Sequence, residues 1–139
     1  LMLHFGAENR LVANPRDLVG LLGVLSGCSV MAGVNTLYSG LLQAPGIESV
    51  DFSRLKISAS GGAATLPGVV DGWQRLTGNR IMEGYGLTET SPFALCNSVT
   101  ERFGGGLLPM PSTEVAIRDD QGATLACGEV GEICIRGPR

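Results

Sequence analysis

The densest group of chemically capable side chains lies at 83–92, EGYGLTETSP. Gly84 and Gly86 flank the ring of Tyr85, and a hydroxyl, Thr88, and a carboxylate, Glu89, follow at once. Glycines let a backbone lie close to a flat ligand, and Tyr85 offers a ring face on which such a ligand can stack. Thr88 can donate to a phosphate oxygen, and Glu89 is a hard carboxylate suited to magnesium. A nucleotide with its metal would use all three. The same residues also describe a plain strand-to-helix turn, with glycines for geometry, Tyr85 half-buried, and Thr88 and Glu89 in a capped first turn. Spacing alone does not separate the two readings.

The elements around this stretch decide where it sits. A strand over 80–82 runs straight into it. Upstream, 9–13 reads as a strand, and Asn14 with Pro15 as the cap and first residue of a helix reaching about 25. The uncharged stretch 29–34 reads as a strand covered on both faces, after which Asn35 caps a helix through 43. A strand over 55–60 ends in Gly61 and Gly62. The helix over 66–77 has Pro67 near its start and Gly78 after its end. Strands alternating with helices predict an α/β fold with a parallel sheet flanked by helices. In such a sheet ligands bind beyond the carboxyl ends of the strands, where 83–92 emerges.

Beyond Asn97 the texture changes. Gly104, Gly105, Gly106 and the segment 109–111 read as a linker, and 114–118 and 132–136 alternate polar and apolar as half-exposed strands do. The residues 119–122 between them are turn chemistry. The expected organisation is an α/β subdomain over 1–97, then a linker and the start of a small antiparallel, barrel-like β element over 98–139. That element reads as unfinished.

Composition narrows the function. A net charge of −3 and 5% aromatic residues argue against a nucleic-acid surface, which needs basic excess and stacking platforms. The 21 glycines in 139 residues follow no triplet period and fall near apolar runs. Four cysteines (Cys28, Cys96, Cys127, Cys134) and the single His4 lack zinc-ligand spacing, so free thiols in a reducing, cytoplasmic compartment are expected. The start of the chain does not read as a secretory leader. The uncharged run 18–47 is broken by Gly20, Gly23, Gly27, Gly33 and Asn35, which fits a buried helix, strand and helix better than a transmembrane span.

The stretch 83–92 resembles the YGxTE adenylate-binding motif of acyl-CoA synthetases, luciferases and peptide-synthetase adenylation domains. SGGAA at 60–64 resembles the small-residue loop that borders adenine and the acyl group in that superfamily. NPRD at 14–17, GVNTL at 33–37 and PMPSTE at 109–114 resemble the bacterial long-chain fatty acid enzymes in particular. GEVGEICIRGP at 128–138 is similar to the family's GE[LI]xxxGP strand pair. The matches run in order along nearly the whole chain. One departure is Gly104-Gly-Gly-Leu107, where the family has a Gly-Ser-Ile-Gly-like turn. His4 falls downstream of the family's functional histidine and reads as structural.

The resemblance implies roles. Tyr85 would stack on adenine, with Gly84 and Gly86 beside it; Thr88 would bond the α-phosphate and Glu89 would hold Mg2+. Gly61, Gly62 and Ala63 would pack against the nucleotide and the carboxylate end of the acyl chain. Val34 and Leu37, with the Gly84 backbone, are candidates for the acyl tunnel wall, although both also read as ordinary core. The implied activity is that of an ATP-dependent fatty acid–CoA ligase, with ATP/AMP, Mg2+ and coenzyme A as cofactors and small molecules as partners. Such enzymes often work beside a membrane, yet no basic amphipathic anchor helix is evident, and the oligomeric state stays open. The phosphate loop, the ribose-binding Thr-Gly-Asp and the C-terminal domain with its catalytic lysine are absent, so the chain alone is expected to be inactive. Two alternatives remain: an adenylation domain for an aryl or amino acid, and a catalytically inactive nucleotide-binding paralogue.

Overall fold

A computed structural model describes residues 3–97 and 106–138; Gly104 and Gly105 of the expected linker lie outside the described residues. Three parallel strands, β1 (Val30–Gly33), β2 (Ile57–Gly61) and β3 (Ile81–Tyr85), lie side by side in that order. The helices α2 (Asn35–Leu42) and α3 (Pro67–Thr77) supply the two connections that these parallel strands require, and α1 (Leu18–Leu25) precedes β1. Two short strands, β4 (Leu95–Cys96) and β5 (Leu108–Pro109), extend the sheet antiparallel to β3, in the order β1-β2-β3-β4-β5. The sheet is therefore mixed.

The register explains where the core forms. Met31 pairs with Ser58, and Ser58 with Ile81, so these three side chains share the face that the helices cover. Leu21, Leu22 and Leu25 of α1, Tyr38 and Leu41 of α2, and Val69 and Trp73 of α3 close over them. Trp73 is wholly buried and its indole N–H donates to the Ser58 hydroxyl at 2.9 Å. The Tyr38 hydroxyl donates to the Ala59 carbonyl at 2.9 Å. Both rings stand edge-to-face, 4.9 Å between centroids, with Phe52 5.5 Å from Trp73 on another side. Burying a ring of about 200 Å² is worth roughly 5 kcal/mol at ~25 cal/mol per Å², and Trp73 is the largest fully buried side chain of this core. Burial also pushes the Tyr38 phenol well above the ordinary tyrosine range.

Several local expectations change. Residues 9–13 form no strand; among the described residues they find no sheet edge, and Leu11 is 91% exposed. Arg10 is instead drawn to the carboxyl end of α1, where it donates to the Val24 and Ser26 carbonyls. Asn14 makes a local turn, accepting from the Arg16 N–H at 3.1 Å, and Asp17 caps α1 by accepting from the Gly20 N–H at 2.9 Å. A carboxylate at that position also suits the positive end of the helix dipole. Asn35 is the first residue of α2 rather than its cap, and its side chain serves another segment. Strand β5 occupies part of the expected linker. The helices cover one sheet face; on the other, Ala32 of β1 is exposed and Ile57 of β2 remains 39% exposed, so the uncharged strand β1 is not covered on both sides by the described residues.

The expected end of α3 holds. Pro67 stands at its first position, and Gly78, at φ +71°, closes it with an N–H bond to the Gln74 carbonyl. Strands β6 (Glu114–Arg118) and β7 (Glu132–Arg136) pair antiparallel. Asp119 makes the intervening turn by accepting from the Gln121 and Ala123 N–H groups. No helix among the described residues is long and apolar enough to cross a membrane.

Candidate functional site

Because β1, β2 and β3 are parallel and Gly33 pairs with Ser60 and Gly61 with Gly84, all three strands release the chain at one edge. Val34, the segment 62–65 and the segment 86–90 therefore leave the sheet together. Gly62 has φ +80°, a conformation glycine alone adopts cheaply, and this turns the chain out of β2. Val34 is 45% exposed at the same edge, and a methyl group on Gly62 would touch it at 4.0 Å. Leu37 lies one turn further on and packs inward against the core. Ala63 is exposed.

The loop after β2 has no side chain of its own to fix it until Thr65. The Thr65 N–H donates to Glu83 Oε1 at 2.7 Å, and the Thr65 hydroxyl donates to the Ser60 hydroxyl at 2.8 Å. The next amide, Leu66 N–H, donates to Asn35 Oδ1 at 2.9 Å.

Gly84 and Gly86 have a reason that lies within the chain. A side chain at Gly84 would collide with the Phe93 ring, and one at Gly86 with the Pro92 carbonyl. The glycines let the chain fold back over its own strand. That return is pinned by the Ala94 N–H to the Tyr85 carbonyl at 2.9 Å and by Asn97, which exchanges bonds with the Glu83 backbone at 2.8 and 3.0 Å. Between the two legs Thr88–Thr90 form one 3-10 turn, closed at Ser91 with φ +53°. The Thr90 hydroxyl accepts from the Leu87 N–H at 2.9 Å and lies 2.9 Å from the Pro92 carbonyl.

This turn presents Thr88 and Glu89 outward. Both are exposed, and among the described residues neither side chain has a hydrogen-bond or ion-pair partner. Tyr85 is half-buried at the end of β3. A cleft of about 230 Å³ lies between the turn and the β6–β7 ribbon, with Leu87, Phe93, Ile133 and Ile135 among its walls. Of the residues singled out in the sequence, Glu89 alone lines it. No group of three His, Cys, Asp or Glu side chains that could hold a metal occurs among the described residues. A single unpartnered carboxylate still fits magnesium, which keeps several waters and commonly takes one or two carboxylates plus substrate phosphates.

The motif's Tyr85, Thr88 and Glu89, the loop from Gly61 to Ala63 and Val34 thus gather at one sheet edge, while Leu37 turns inward. Sequence reasoning missed the residues that hold them: Asn35, Thr65, Glu83, Thr90, Phe93 and Asn97. Glu83 carried a signal, because a carboxylate that follows Ile81 by two places on a helix-covered face must find a donor there.

An AMP-binding enzyme family model matches residues 1–139. A long-chain-fatty-acid–CoA ligase of Salmonella typhimurium is 41% identical over 100% of this chain and 26% of its own length. The corresponding enzyme of Bacillus subtilis is 36% identical over 80% of the chain and 20% of its own length. The chain thus spans about a quarter of the length of these curated relatives. An anthranilate CoA ligase in complex with anthranoyl-AMP superposes with TM-score 0.86 at 26% identity, over 96% of this chain and 27% of that one. A benzoate CoA ligase from Burkholderia xenovorans LB400 does so with TM-score 0.84 at 28% identity, over 99% and 29%. The family match spans the whole chain, and the chain belongs to the AMP-binding enzyme family.

Proposed function

We propose that this chain forms one wall of the adenylation site of an ATP-dependent long-chain fatty acid–CoA ligase. The observation that carries the reading is the 41% identity over the whole chain to a ligase of that kind. Exposed Thr88 and Glu89, unpartnered among the described residues, support it. In this reading residues 1–97 carry the nucleotide-binding edge, and 98–139 begin a second, β-rich subdomain. The reaction of such a ligase has two steps. A fatty carboxylate oxygen attacks the α-phosphorus of ATP, and the bond to the pyrophosphate oxygen breaks. The thiolate of coenzyme A then attacks the acyl carbon, forming the thioester as AMP leaves.

Tyr85 supplies a ring face for adenine, and Thr88 donates to an α-phosphate oxygen. Glu89 holds Mg2+, whose charge offsets that of the phosphates. Gly62 and Ala63, with no side chain beyond a methyl, let the acyl phosphate approach the loop, and Val34 borders the acyl group beside them. The site of action is the cytoplasm, beside the membrane from which fatty acids partition.

An acid panel tests the reading against aryl-acid specificity, which the benzoate and anthranilate ligases bring into view. The longer protein that carries this segment is incubated with ATP, Mg2+ and palmitate, benzoate, anthranilate or malonate, and pyrophosphate is measured. Release with palmitate and background with the others is expected. Release with benzoate or anthranilate alone would transfer the site to aryl acids.

A further inference from the structure

The loop between β2 and α3 is held from both sides by side chains of other segments, in addition to the bond from its own Thr65 hydroxyl to Ser60. Its residues Gly62, Ala63 and Ala64 carry no functional group that could anchor it. Two successive amides at its end are captured instead: Thr65 N–H by the Glu83 carboxylate at 2.7 Å, and Leu66 N–H by the Asn35 side-chain oxygen at 2.9 Å. Glu83 sits on β3, two residues before Tyr85 and on the same strand face. Asn35, the first residue of α2, directly follows Val34, which leaves the end of β1. Glu83 is itself fixed, since its N–H donates to Asn97 Oδ1 at 2.8 Å and its carbonyl accepts from the Asn97 N–H. Leu66, the N-cap residue of α3, offers no side-chain cap.

From this geometry we infer that Asn35 and Glu83 are positioning residues, a two-sided clamp that sets the gap between the loop 62–64 and the edge carrying Tyr85, Thr88 and Val34. The inference rests on the ligase reading above. The carboxylate works here as a hydrogen-bond acceptor for an amide, and the Asn35 oxygen does the same on the opposite side. Both act through the loop rather than on substrate. A loop freed from either side would sample positions unsuited to the reacting groups, and misplacement of about 1 Å can cost roughly 100-fold in rate.

The test uses the longer ligase that carries this segment. Glu83→Gln and Asn35→Asp each keep an acceptor oxygen, whereas Glu83→Ala and Asn35→Ala do not. ATP–pyrophosphate exchange with palmitate is measured for all four, with hydrogen exchange at the Thr65 and Leu66 amides. The clamp predicts that Glu83→Ala and Asn35→Ala lose about 10- to 100-fold in kcat/KM and that the affected amide exchanges faster. Glu83→Gln and Asn35→Asp should stay within about threefold of the unmodified enzyme, with both amides still protected. Equal loss in Glu83→Gln and Glu83→Ala, with Thr65 still protected, would overturn the inference, because charge and not the loop bond would then matter. Faster amide exchange with unchanged kinetics would overturn it as well. Should the alanine variants fail to fold, Glu83→Gln and Asn35→Asp decide: more than about tenfold loss of activity with the Thr65 and Leu66 amides still protected would overturn the inference. Absence of palmitate-dependent exchange in the unmodified enzyme would instead count against the ligase reading itself.

Discussion

Substituting Gly86 by alanine should be among the most damaging single-methyl changes in the chain, and the geometry says by how much. The added carbon would run into the Pro92 carbonyl, a backbone atom that no rotamer change can move. The returning leg must shift, which loosens the Ala94 N–H bond to the Tyr85 carbonyl and the Met110 N–H bond to the Ala94 carbonyl. Two such bonds are worth about 1 kcal/mol each, and forced overpacking adds ~1–3 kcal/mol. A loss of about 3–5 kcal/mol is a large part of the ~5–15 kcal/mol that holds a domain together. Gly84→Ala meets the Phe93 ring instead, which is 40% exposed and can swing toward solvent, so about 1–3 kcal/mol is expected. Gly68, inside α3 with nothing within 4 Å, is the control: Gly68→Ala should stabilise by ~0.5–1 kcal/mol. Urea unfolding of the 139-residue chain, at one fixed low concentration for every variant and followed by the fluorescence of Trp73, its one tryptophan, reports all three. Equal effects at Gly84 and Gly86, or a neutral Gly86→Ala, would refute the idea that these glycines exist to let the chain return over its strand.

Two further outcomes follow from the fold. The folded state holds the Tyr38 proton more tightly than the unfolded chain, so that contribution is complete below about pH 10 and is lost as pH rises toward the raised folded value. Tyr38→Phe should cost about 1 kcal/mol at neutral pH and shrink the alkaline fall in unfolding free energy; an unchanged alkaline limb would contradict the assignment. The 139-residue chain by itself should associate and bind hydrophobic dye, because Leu11, Val19 and Val130 are 91%, 68% and 97% exposed and Ile57 is open on the uncovered sheet face. A clean monomer by light scattering that binds no dye would count against that.

The parallel βαβ order was legible because the uncharged strands β1 and β2 and the Pro67/Gly78 punctuation of α3 are local signals. The site motif was legible for a similar reason: Tyr85, Thr88 and Glu89 lie within five residues of one another, and a single turn presents the last two. Three kinds of feature were not. Residues 9–13 have strand composition, but a strand needs a neighbouring edge, and local sequence does not say whether one is there. Asn14 and Asn35 look like helix caps, yet Asp17 competes for the first role and the Leu66 amide for the second. Strands β4 and β5 are two residues each, too short for periodicity, and exist because Gly84 and Gly86 admit the returning leg. The clamp on the loop joins residues 18 and 31 positions apart, a relation visible only once the three strands are in register.

The central claim is that the turn at Thr88–Thr90 presents Glu89 to the metal that accompanies ATP. Glu89→Gln keeps the shape and removes the charge a hard cation prefers. In the longer protein, acyl-adenylate formation from palmitate should fall at least tenfold, about 1.4 kcal/mol of transition-state stabilisation. Part of the loss should return at raised Mg2+. The melting temperature should barely move, since exposed, unpartnered positions usually change stability by less than about 0.5 kcal/mol. Full activity in Glu89→Gln with melting several degrees lower would make Glu89 a structural turn residue and contradict the account.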